Sequence, residues 1–137
     1  MTSTRDENLA RIVDSAIADG VVSAAIFTRP AGDPMLRLVA AAGIDGVPLQ
    51  RLEDAVRNPD HPIARTLAEA TATFDVRPMA PGGPALRSHL PIFDADRRTD
   101  GPIGVLAVAH EEPLDEAARA RLMLLAESAG AWPTSAG

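Results

Sequence analysis

ALRSHLPIFDADRRTDGPIGVLAVAHEEPL, residues 85–114, decides how the rest of the chain is read. Two apolar segments, 85–93 and 102–110, flank a polar turn at 94–101, so the stretch predicts a β-hairpin. Alternation puts Leu86, Ser88, Leu90 and Ile92 on one face of the first strand. Arg87, His89, Pro91 and Phe93 fall on the other. In the second strand Ile103, Val105, Ala107 and Ala109 oppose Gly104, Leu106, Val108 and His110. Both faces are largely apolar, so both need cover. Pro91 lacks an N–H and predicts a bulge or a position facing away from the ladder.

Working outward, a helix is expected from about Asp115 to Gly130, with Leu114 as its staple and Leu122, Leu125, Ala126 and Ala129 inward. At the other end, Thr4 and Glu7 have capping-box spacing, and Leu9, Ile12, Val13, Ala16 and Ile17 form one helical stripe that Gly20 stops. VVSAAIFT (21–28) and MLRLVAAAG (35–43), joined by RPAGDP, predict an antiparallel strand pair. Alanines 40–42 suit close approach by a covering element. A short helix is expected over 48–57, with Leu49, Leu52 and Val56 on one side. A second starts near Asp60 or His61, with Pro62 in its first turn and Ile63, Leu67 and Ala70 on its inner edge. A weaker strand follows at 71–76, then MAPGGP (79–84), read as a connector or a lid. The layout is α+β: a central antiparallel sheet of five to six strands, with different helices over its two faces.

Composition narrows the function. The 137 residues suit a single domain with one core, and 132–137 read as a tail. There is no cysteine, which excludes disulfides, thiolate metal sites and thiol nucleophiles. A net charge of −6 opposes nucleic acid, and no run is long and apolar enough for a membrane span, so a cytoplasmic protein is expected. All thirteen basic residues are Arg, a mark of GC-rich coding.

Several segments together resemble a GAF domain, the small sensory fold of cyclic-nucleotide phosphodiesterases, phytochromes and many bacterial signalling proteins. They are Asp19-Gly20 before Ala24-Ala25-Ile26-Phe27, Leu38-Val39-Ala40-Ala41-Ala42-Gly43, His61-Pro62-Ile63-Ala64, His89-Leu90-Pro91-Ile92 and Gly104-Val105-Leu106-Ala107-Val108, closed by the helix over 114–129. The resemblance covers about 5–131. It implies terminal helices on one sheet face, a small-molecule pocket under short helices and loops on the other, and a homodimer through the terminal helices. Without cysteine, the bilin attachment and methionine sulfoxide reduction of some members are excluded. Without lysine, the Asn-Lys-Phe-Asp-Glu motif of nucleotide-binding members cannot be present. A haem reading would rest on His89 alone, too little to carry a cofactor, and none is expected.

The candidate ligand-binding residues are Arg87, His89, Phe93, His61 and Arg65. Arg87 and His89 share a strand face with Phe93 beyond them, and would bind an anionic or hydrogen-bonding ligand. The plainer alternative is an exposed strand end or an Arg87 ion pair. His61 and Arg65 lie one turn apart at a helix start, an anion-binding position. Next to Pro62, however, His61 reads more simply as a cap. His110, before Glu111-Glu112, is read as an ordinary boundary residue and not a metal ligand. No serine sits in a nucleophile elbow. The expectation is a non-enzymatic sensory module that binds a small molecule, the alternative a ligand-free dimerisation or interaction scaffold.

Overall fold

The computed structural model describes residues 4–29, 36–77, 86–93 and 101–130. Helix α1 (Thr4–Ala18) leads into β1 (Ser23–Thr28) and β2 (Arg37–Ala42), followed by α2 (Gly46–Ala55) and α3 (Pro62–Glu69). Then come β3 (Thr73–Val76), β4 (Leu86–Phe93), β5 (Pro102–His110) and α4 (Glu116–Gly130). Five strands form one antiparallel sheet in the order β2-β1-β5-β4-β3. The two strands read from the opening stretch are adjacent, with Ser88 opposite Val108 and His89 opposite Ala107. A register shift falls between Ile92 and Phe93, one residue beyond Pro91.

The alternation in β4 and β5 sorts their side chains between two apolar layers. Leu90, Ile92, Leu106 and Val108 pack with Leu9, Val13 and Ala16 of α1 and with Leu122 and Ala126 of α4. Val105 and Ala107 pack on the opposite face with Phe27, Val56, Ile63 and Leu67, under α2 and α3. Terminal helices on one face and short helices on the other follow from this division. Small residues set the spacing: Ala40 and Ala42 let α1 approach β2. A Cβ at Gly130 would collide with the Phe93 carbonyl, so the end of α4 seats directly on β4.

Some expectations shift. Among the described residues the sheet has five strands, within the five to six foreseen. Ala70 is not on the inner edge of α3. It is the exposed C-cap, at φ 57°, and Thr66 is buried there instead with Ile63 and Leu67. The Thr4 side chain of the capping box, the turns at 30–35 and 94–100, the connector at 79–84 and the tail at 132–137 lie outside the described residues.

Candidate functional site

Strand β4 presents Arg87 and His89 to the face covered by α3, because their ladder partners are Ala109 and Ala107 and Ala107 packs beneath Ile63 and Leu67. Helix α3 crosses both β4 and β5. His89 is 2% exposed, and its Nδ1 lies 3.3 Å from the Thr73 hydroxyl of β3. Burial, followed by the charges of His61, Arg87 and His110, pushes its pKa down to about 4.

His61 is the N-cap of α3, extended at φ −64°, ψ 139°, as the following Pro62 favours. Its Nδ1 accepts the Ile63 N–H at 3.1 Å, which in the neutral ring leaves the proton on Nε2. Burial and then Arg87 lower its pKa as well. The Arg87 Nε is buried and makes no hydrogen bond. No carboxylate pairs with Arg87 among the described residues. Three of the residues singled out from sequence are thus brought together: His61 from the helix start, and Arg87 and His89 from the strand.

The other two stand apart. Arg65 sits on the outer side of α3, 63% exposed, with its Nε 3.7 Å from Glu69. Its long side chain gains solvation there, while Thr66 and Leu67 take the inner positions. Phe93 is half-buried at the far end of β4, past the register shift. His61 serves as the cap and also belongs to the Arg87 group.

On the opposite face, sequence reading missed a buried polar chain. His110 does end β5, but it is no ordinary boundary residue, since it is 3% exposed on the α1/α4 side. Its Nδ1 donates to the Glu112 carbonyl at 2.8 Å, and its Nε2 is 2.8 Å from the Ser88 hydroxyl. Ser88 also accepts the Asp75 N–H at 3.1 Å. A hydroxyl that donates to imidazole is the start of nucleophile activation, but Ser88 is 0% exposed and no substrate can reach it. The pair is a satisfied structural network. The sequence signal for it was the Ser88 position, inward-facing on the same side as His110.

Asp75 extends this network. Its carboxylate accepts the Leu114 N–H at 2.9 Å and pairs with Arg119 at 2.8 Å, and the Arg119 guanidinium also covers the Phe74 ring. The Leu114 hydrogen bond and then Arg119 hold the Asp75 pKa below the usual carboxylate value. An open cleft of about 290 Å³ lies nearby, lined by Gly20, Val22, His110, Glu112, Leu114 and Ala118 among others. The His110 ring offers it no free nitrogen.

The chemistry available on the α3 face is recognition through cationic and N–H donor groups in an apolar layer. Among the described residues no cluster of three His, Asp or Glu could hold a metal ion, and no helix is long and apolar enough to cross a membrane.

No family model and no curated protein sequence matches the chain. Solved structures do match in fold. The GAF domain of a phosphoenolpyruvate-protein phosphotransferase from Coxiella burnetii is 14% identical over 95% of this chain and 82% of its own, at a TM-score of 0.75. The second GAF domain of DevS from Mycobacterium smegmatis is 17% identical over 92% and 90%, at 0.71. A type II free methionine-R-sulfoxide reductase from Thermoplasma acidophilum is 13% identical over 92% and 89%, at 0.71.

Proposed function

We propose that this protein, a GAF-type domain in fold, is a non-enzymatic sensory or regulatory module that binds a small molecule beneath α3, at Arg87, His89 and His61. One observation carries the reading. The Arg87 Nε is buried without a hydrogen-bond partner in an otherwise apolar layer, a cost that a bound ligand would offset. The GAF-domain neighbours, and a methyl-accepting chemotaxis protein that matches in fold at a TM-score of 0.66, support the sensory class. The reductase neighbour does not extend its activity here, since a cysteine-dependent reduction has no thiol in this chain. A thermal-shift screen of the purified protein against a broad metabolite set tests the reading. We expect at least one saturable stabiliser whose effect is lost in Arg87→Ala. A screen without any stabiliser overturns it.

A second reading, assembly through the terminal helices, is favoured by Met123 and Leu124. They are 53% and 61% exposed on α4, leaving apolar side chains outside the monomer core. Both readings fit one molecule, a homodimer whose α4 passes on the occupancy of the opposite face.

A further inference from the structure

We propose that the ligand held beneath α3 is a small anion carrying a carboxylate or a phosphate group, gripped side-on by the Arg87 guanidinium and by His61 Nε2–H. The inference rests on the reading of that face as a ligand site, and names the chemistry it would take.

Two features point to negative charge. The first is the donor geometry at Arg87. Its buried Nε–H is without a partner, and a donor on that edge of guanidinium works together with one Nη–H as a fork. Two parallel oxygens at one centre match the fork, and carboxylate and phosphate supply them; a neutral carbonyl supplies one.

The second is His61. Because its Nδ1 is occupied by the Ile63 N–H, the ring presents Nε2–H, a donor with no partner among the described residues. Pro62 has no N–H to offer, so the start of α3 contributes mainly its dipole, also favourable to an anion.

Arg87 alone supplies the positive charge here: His61 and His89, their pKa values lowered by burial and by Arg87, are neutral at pH 7 and act as hydrogen-bonding groups. His89, buried on the same strand face, is engaged with Thr73.

The test uses the full chain and two-dimensional NMR with calorimetry. The probes are inorganic phosphate, methyl phosphate, acetate and succinate, each beside a neutral counterpart such as succinamide. We expect saturable binding of a phosphate or a carboxylate probe with a shift of the Arg87 Nε–H resonance, and the stronger arm identifies which group is native. Arg87→Ala should weaken it at least about tenfold, and Arg87→Lys, which lacks the fork, should not restore it. Arg87→Met adds a readout that a structural role would not give. It should raise the melting temperature of the ligand-free protein while removing the binding, because it deletes an unpartnered buried donor. Neutral probes that bind at Arg87 as tightly as the anions overturn the anion assignment and leave the ligand site standing. Anion binding insensitive to Arg87→Ala overturns the assignment to this site. No binding by any probe overturns the anion assignment, and an Arg87→Met protein that also melts lower than the parent overturns the ligand site with it.

Discussion

At the scale of single residues, His89 is the position with the clearest thermodynamic signature. Buried beside cationic neighbours, it has a pKa of about 4 against the ordinary 6.5. Between those values the unfolded chain binds a proton that the folded chain refuses, so stability rises with pH through this window and is complete above it. Lowering the pH from about 7 to about 5 should therefore cost roughly 2 kcal/mol at this site, measured by urea unfolding. His89→Gln, which keeps a partner for Thr73 without titrating, should flatten that slope. A residual slope remains from His61, lowered in the same direction. Asp75, lowered from 3.8, gives stability that is lost only at more acid pH, so it does not distort the comparison. An unchanged slope in His89→Gln would mean that His89 is not the titrating group. Ser88→Ala offers a second check. It strips partners from the His110 Nε2 and the Asp75 N–H, both inside the fold, and should cost about 1–3 kcal/mol in the same assay.

At the scale of elements, the vulnerable part is β3. A four-residue edge strand with a register shift has few ladder bonds of its own. Asp75 compensates. Its positive φ of 58° interrupts the strand and lets the carboxylate reach Leu114 and Arg119 ahead of and within α4. Strand β3, which also carries the His89 partner Thr73, is thereby fastened to the helix on the opposite face. Asp75→Asn tolerates the left-handed backbone and keeps an acceptor for Leu114, but removes the ion pair. With the pair part-exposed, the loss should be about 1 kcal/mol, concentrated as faster amide exchange in β3 while β1 and β5 keep their protection. Uniform loss of protection across the sheet would show that the contact is not a local fastening. Asp in a short strand was a visible irregularity in TFDV, but nothing in the sequence pointed to an Arg 44 positions later.

At the scale of the molecule, one sheet separates two apolar layers, and Arg87 lies on the face opposite the terminal helices. If Met123 and Leu124 close a dimer, replacing both with Ser should convert it to monomer by sedimentation velocity and remove the concentration dependence of its melting temperature, with the fold kept by far-UV circular dichroism. A parent protein that sediments as a monomer at high concentration sinks the assembly reading. The architecture itself was legible from residues. Apolar residues on both faces of β4 and β5 require two covered faces, and the stripes of α1 and α4 supply one cover while Ile63 and Leu67 supply part of the other. Periodicity is a local property, and it told which side chains share a face, including Arg87 with His89. It could not tell which helix lies over them, which of His61 and Arg65 turns inward, or that Ser88, His110 and Asp75 meet. Those depend on strand register and on the placement of helices far apart in sequence. Only the folded chain decides them, because whether a buried polar atom finds a partner is settled by long-range packing.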